Sequence, residues 1–154
     1  MLNVGVIADT HGLLRPQALT ALAGSDLILH LGDVGPKELL ARLRDLAPVD
    51  AVRGNVDREA WTEELPLHRR LALESLELVL HHGHLPLPAG VLDGAQVVVR
   101  GHSHRPVVDR RDGVLHVNPG SAGPRRFKLP VTLVRLKIDG AEAHAELVDL
   151  LDEG

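Results

Sequence analysis

The chain contains no cysteine and no tyrosine, and only one tryptophan (Trp61), one phenylalanine (Phe127) and one methionine. Without cysteine it can form neither a disulfide nor a thiolate metal site, so any metal must be held by His, Asp, Glu or Asn. With aromatics at 1%, the core must be built from Leu, Val, Ile and Ala. An excess of positive charge is also missing. The net charge is −4 and the pI about 6.2, which argues against a broad electrostatic footprint for nucleic acid. No basic leader precedes the first apolar run at Leu2, so no signal peptide is expected, and no apolar run approaches the roughly 20 residues of a membrane span. The expectation is one compact cytoplasmic domain, residues 1–154, with neither a membrane nor a nucleic acid as partner.

What is present is a regular succession of apolar runs. Leu2–Ala8 reads as a strand buried on both faces, Pro16–Ala23 as a helix, Leu27–Leu31 as a second strand. Pro36–Ala47 carries a stripe of Leu39, Leu40, Leu43 and Leu46 and reads as a second helix, closed by Pro48; Val49–Val52 is a third strand. A βαβαβ order predicts a parallel sheet with right-handed crossovers. The second half changes style. Leu67–Leu73 and Leu76–Leu80 pair around Glu74-Ser75, Pro86–Leu92 suggests a short helix, and Gln96–Arg100 is another strand. Hairpins are predicted at Asp112-Gly113 and Asp139-Gly140, whose residues tolerate positive φ. The chain thus reads as α/β in its first half and as antiparallel meanders in its second. Two sheets packed face to face with helices outside would bury both sets. Asn118–Leu129, rich in Gly, Pro and Arg, is the longest irregular stretch.

The polar residues just beyond these strands carry the chemistry. Asp9 and His11 follow the first strand, Asp33 the second, Asn55 the third, His82 the hairpin strand, and His102 and His104 the Gln96–Arg100 strand. Ligands of open α/β sheets bind beyond the carboxyl ends of strands. Each phrase taken alone has an ordinary explanation. Gly32-Asp33 and Asn55 are common turn residues, Asp9 or Thr10 suits a cap, and His30 or His116 suits a hydrogen-bonded structural role. Gly101-His102-Ser103-His104 is harder to explain by packing. Together these residues are enough for two ions about 3.5–4 Å apart with one bridging carboxylate. A mixed imidazole and oxygen shell suits Mn²⁺, Fe, Co²⁺, Ni²⁺ or Zn²⁺ better than Mg²⁺ or Ca²⁺, and manganese is the first choice. Two carboxylates neutralise only half the charge of two divalent ions, leaving a positive pocket for a phosphate. A water shared by both ions would lose its proton near neutral pH and become the nucleophile.

Asp9-x-His11, Gly32-Asp33, Gly54-Asn55-x-Asp57, His82-Gly83-His84 and Gly101-His102-x-His104 resemble the motif set of the calcineurin-like metallophosphoesterase superfamily. The length, and Asn118-Pro119-Gly120-Ser121, are similar to its small YfcE-type phosphodiesterases. The resemblance implies a four-layer α/β sandwich of two mixed β-sheets flanked by helices. It implies one ion on Asp9, His11, Asp33 and His104, and another on Asp33, Asn55, His82 and His102, with Asp33 as the bridge. It implies a small phosphoester as substrate, with Asp33, Asn55 and His84 in catalysis and Asn55 and His84 against the substrate.

Two positions depart from the family pattern. Val56 stands where many members carry a His acting on the leaving-group oxygen, and a valine donates no proton. That substitution implies a preference for leaving groups needing little protonation, or protonation by metal-bound water or His84. His81 stands where a Thr is common, leaving His81 and His82 as rival ligands; the pattern favours the residue beside Gly83. A different class of function is a scaffold of the same fold, resembling the retromer subunit, whose ligand set is eroded. Arg125 and Arg126 read as a solvated pair on the irregular loop, with phosphate binding the lesser reading. Asn118–Ser121 is expected to shape the site, and Leu85–Leu92 to offer apolar surface for a homo-oligomer contact.

Overall fold

The computed structural model describes residues 1–151. Its first sheet is ordered β10-β9-β1-β2-β3 and its second β4-β5-β6-β8-β7. In the first sheet β1 (Leu2–Ile7), β2 (Leu27–His30) and β3 (Val49–Ala51) run parallel; β9 (Thr132–Asp139) and β10 (Glu142–Asp149) close it antiparallel. The second holds β4 (His68–Leu73), β5 (Leu76–His81), β6 (Val97–Val99), β7 (Val107–Arg111) and β8 (Val114–Asn118). Here the expected meander gives way: β6 lies parallel to both β5 and β8, and only the β4–β5 and β7–β8 hairpins are antiparallel. The consequence is functional. β5 and β6 now end at the same edge of the sheet, as β1, β2 and β3 do in theirs.

Alternation along the apolar runs explains why both faces are buried. Val4, Val6, Leu29 and Leu31 point into the core between the sheets, against Leu78, Leu80, Val97, Val99, Leu115 and Val117. Ile7 and Ile28 point the other way, toward helices α1 (Pro16–Leu22) and α2 (Lys37–Arg44). Pro16 opens α1 where its missing N–H costs nothing. Helix α2 carries Glu38 in its first turn and Arg42 and Arg44 in its last, matching the helix dipole at both ends. Both helices thus cover the first sheet.

Among the described residues no helix covers the outer face of the second sheet. Val79 and Val98 are covered by Leu87 and Val91, on a stretch of successive turns closed by Val91 N–H to Pro88 O, Asp93 N–H to Gly90 O and Ala95 N–H to Leu92 O. The expected helix over Pro86–Leu92 does not form. Pro86 and Pro88 bias the residues before them away from helical ψ, and Gly90 (φ 84°) and Gly94 (φ 74°) are left-handed. A 3₁₀ turn at Ala60–Glu64, without apolar periodicity, was not legible in the sequence. The Asp112-Gly113 hairpin forms as expected, with φ of 53° and 79°. No helix among the described residues is long and apolar enough to cross a membrane.

Candidate metal centre

The parallel strands deliver their carboxyl ends to one place. Past β1 and β2 the two chains keep pairing as they leave the sheet, with Asp9 N–H to Gly32 O at 3.0 Å and His11 N–H to Asp33 O at 2.9 Å. Gly101 N–H bonds to His82 O at 3.0 Å and likewise joins the ends of β6 and β5. These turns are sharp. Asp9, His11, Asp33, His102 and His104 all have positive φ, between 46° and 71°, a region that costs a non-glycine residue about 1–3 kcal/mol each. The two glycines beside Asp33 have no alternative. A Cβ on Gly54 would overlap Asp33 Oδ1, and one on Gly32 (φ 98°) would lie 2.6 Å from His82 Nδ1.

Two groups of donor atoms result: Asp9, His11 and His104 in one, Asp33, His82 and His102 in the other, each with its atoms within 4.8 Å of one another. Asp33 Oδ2 faces both, 3.7 Å from His11 Nε2 and 3.3 Å from His82 Nε2. Its Oδ1 is occupied by the Val56 N–H at 3.1 Å. Asn55 Oδ1 lies 3.0 Å from His82 Nε2 and 3.1 Å from His102 Nδ1, which adds it to the second group. Asp9 Oδ2 accepts the His102 N–H at 3.1 Å, while Oδ1 lies 3.6 Å from His104 Nε2 and 3.8 Å from His82 Nε2. The seven residues singled out from the sequence as metal ligands are therefore brought together.

The donor set fits cations. Asp9 Oδ1 and His11 Nε2 are buried and have no hydrogen-bond partner, an expense that a shared cation removes. His82 Nδ1 approaches the Leu31 carbonyl at 2.6 Å, which it can only do as a donor, so Nε2 is the atom presented to Asp33 and Asn55. Electrostatics agree. Burial pushes the Asp9 carboxyl up to about 7, the His82 charge notwithstanding. Burial opposes ionisation of Asp33 too, but the His82 and Val56 hydrogen bonds outweigh it and bring its pKa down to about 2. Burial, with Arg126 and His11 nearby, lowers His104 to about 4 and keeps its ring neutral and able to ligate. A divalent cation stabilises an ionised Asp9 and neutral imidazoles alike.

Neighbouring residues hold the donor-bearing loops in place. Asp57, the last residue of the Gly54-Asn55-Val56-Asp57 phrase, is buried and accepts three backbone N–H groups: Asp33 at 2.9 Å, Val34 at 2.9 Å and Gly54 at 2.8 Å. It clamps the loop after β2 to the loop after β3. Thr10 donates to Val34 O at 2.8 Å, so its hydroxyl oxygen must accept from His30 Nε2 at 2.9 Å; His30 Nδ1 in turn accepts the Gly32 N–H. His30 is thus the hydrogen-bonded structural residue expected of it. Asn118 donates to Gly101 O at 3.0 Å and accepts the Gly120 N–H, and Ser121 donates to Asp9 O at 3.0 Å, so the 118–121 turn shapes the site from behind.

His84 stands beside the second group, its ring centroid 5.2 Å from that of His82 and 6.2 Å from that of His102, outside both ligand sets. His81 belongs to neither set, so the geometry selects His82. Val56 is half exposed beside His11 and Asp57.

A two-sheet sandwich with Asp and His at its strand ends defines a class, and comparison with known proteins gives the same one. Residues 2–141 match the model of the calcineurin-like phosphoesterase superfamily domain, and the chain belongs to that family. It is 36% identical to a probable metallophosphoesterase of Methanothermobacter thermautotrophicus over 94% of this chain and 91% of that one. It is 35% identical to the phosphodiesterase YfcE of Escherichia coli over 79% of each chain. The solved structure of YfcE, described as a phosphoesterase, superposes with a TM-score of 0.78 at 30% identity, covering 99% of this chain and 96% of that one. A zinc complex of Vps29 from Entamoeba histolytica superposes with a TM-score of 0.76 at 25% identity, covering 97% and 99%.

Proposed function

We propose that this protein is a metal-dependent phosphodiesterase or phosphatase acting on a small phosphoester. The observation that carries the reading is Asp33 Oδ2, an oxygen set between two groups of Asp and His donors. One ion is assigned to Asp9, His11, Asp33 and His104; the other to Asp33, Asn55, His82 and His102. Manganese is the first ion to test, with Ni²⁺, Co²⁺, Zn²⁺ and Fe as rivals. When bound, such a pair supplies a deprotonated water near neutral pH and positive charge beside the phosphoryl oxygens.

The protein's own residues do the rest. Asp57 fixes the loops that carry Asp33 and Asn55, and the Leu31 carbonyl fixes the tautomer of His82. The Asn55 amide nitrogen, which has no hydrogen-bond partner among the described residues, is assigned to a phosphoryl oxygen. His84 lies outside the ligand sets, and we assign it to the substrate; burial lowers its pKa, so it is a weak proton donor at neutral pH. Val56 offers no proton, which favours activated leaving groups. General acid help is worth about 10²–10⁴ in rate, so unactivated esters turn over slowly.

An interaction scaffold of the same fold is the second reading, because Vps29 structures share this architecture. One experiment separates the two. Purified protein is stripped with chelator, reloaded with Mn²⁺, Ni²⁺, Co²⁺ or Zn²⁺, and assayed for metal content and for hydrolysis of bis(p-nitrophenyl) phosphate. Hydrolysis that tracks metal content, and is lost in Asp33→Asn, supports the enzyme. Full loading with every ion and no hydrolysis supports the scaffold.

A further inference from the structure

A cavity of about 500 Å³ opens beside the second donor group; His82 belongs to both, and His84, which stands next to that group, also lines the cavity. The loop after β3, the start of β4 and the chain after β5 enclose it. Its walls are mostly apolar: Leu65, Leu67, Leu85 and Leu87, with Pro66 and Pro86. Leu67 and Leu85 are exposed, 41% and 49%. The polar groups in it are mostly cationic or neutral. Arg53 enters no ion pair among the described residues. His81 and His84 each bury an Nδ1 with no hydrogen-bond partner. Glu63 is the one acid, and it is exposed.

This is the composition of a ligand pocket: concave, of the volume that small-molecule sites have, apolar with a few polar groups wanting partners. Its contents select further. Imidazoles and a guanidinium present flat faces on which an aromatic ring stacks, and proline C–H groups pack against one. The side chains lining it include no aromatic hydrocarbon that would fill that space. We infer that this cavity is a specificity subsite that receives one planar, aromatic ester arm of the substrate while the phosphoryl group sits at Asn55 and the donor atoms. The inference rests on the phosphoesterase reading above. Leu67 and Leu85 form the apolar contact, and Arg53 meets the face or a polar edge of the ring.

The test is binding, not turnover. The Mn²⁺-loaded protein is titrated with phenylphosphonate and with methylphosphonate, neither of which carries a hydrolysable ester, by isothermal calorimetry. The Leu methyl signals of the Zn²⁺-loaded protein are followed by NMR. Phenylphosphonate is expected to bind about 10-fold more tightly, the scale at which apolar pockets discriminate, and to shift the methyls of Leu65, Leu67 and Leu85. Leu67→Asp and Leu85→Asp are each expected to bring the ratio of the two affinities close to one. Val108→Asp, exposed on β7 at the opposite edge of the sheet from β4, leaves that ratio unchanged. Thermal melts show whether each variant is folded, and two separate pocket variants guard against the loss of one. Equal affinities in a protein that binds metal and hydrolyses diesters overturn the subsite alone. No metal uptake and no phosphonate binding overturn the phosphoesterase reading and the subsite with it.

Discussion

Replacing Asp57 by alanine removes the clamp between the loops that carry Asp33 and Asn55. Oδ2 of this carboxylate accepts the N–H of Asp33 at 2.9 Å and of Gly54 at 2.8 Å, and Oδ1 accepts that of Val34 at 2.9 Å. The residue is only 6% exposed, so water does not readily replace it. Hydrogen bonds to a charged group contribute about 1.5–3 kcal/mol each. Taking the low end for three coupled bonds gives a loss of about 4.5 kcal/mol, at the severe end for a single substitution. A domain of this size loses about 2–4 °C of Tm per kcal/mol, so the melting point should fall by about 9–18 °C. Asp57→Asn is milder. Its carbonyl can take the place of Oδ2 and keep two bonds, while its NH₂ opposes the Val34 N–H, for a cost of about 2 kcal/mol. Urea denaturation in excess chelator reads these losses without metal linkage. Manganese affinity, measured separately by calorimetry, should weaken about 10–100-fold in Asp57→Ala, as when other outer-shell partners are lost. A cost under about 1 kcal/mol, or equal costs for Ala and Asn, with manganese affinity unchanged, would refute the clamp.

Two other residues lend themselves to single substitutions. Complete burial holds His30 neutral, with its pKa lowered from 6.5 to about 3. Between those values the unfolded chain takes up a proton that the folded chain refuses, so stability falls as pH falls through this window, by about 1.4 kcal/mol per pH unit from this group. Urea titrations of chelated protein from about pH 4 to 7 should show that slope reduced by one proton in His30→Asn; identical slopes would count against it. Val56→His places an imidazole on an exposed position next to Asp33. Loaded with Mn²⁺, this variant should gain more rate on alkyl esters than on nitrophenyl esters, and equal gains on both would exclude a leaving-group role for this position.

The sequence carried the site further than it carried the fold's outer layers. Strands and candidate donor residues were legible because a buried parallel strand leaves an unbroken apolar run, and the residues just past its end are polar and glycine-flanked. Asp9, Asp33 and His102 could be placed from that alone. The family resemblance then divided the ligands between two ions. The direction of β6 was not legible, since three valines pair equally well either way and the choice depends on the route of the chain around β7. The apolar stretch over Pro86–Leu92 misled because Leu87 and Val91 do pack on the sheet, but in turns imposed by proline and glycine. Asp57 was visible as part of a phrase and invisible as a clamp, because two of its partners are backbone N–H groups 23 and 24 residues away. The strained φ values of the ligands left no trace either: Asp and His at such positions read as ordinary turn residues until the strands are seen to converge.

The central claim is that Asp33 bridges two ions, and anomalous diffraction from crystals soaked in Mn²⁺ tests it most directly. Two peaks about 3.5–4 Å apart are predicted. One lies among Asp9, His11, Asp33 and His104, the other among Asp33, Asn55, His82 and His102, with an Asp33 oxygen between them. A single peak at saturating manganese, or two peaks that do not share Asp33, would contradict it.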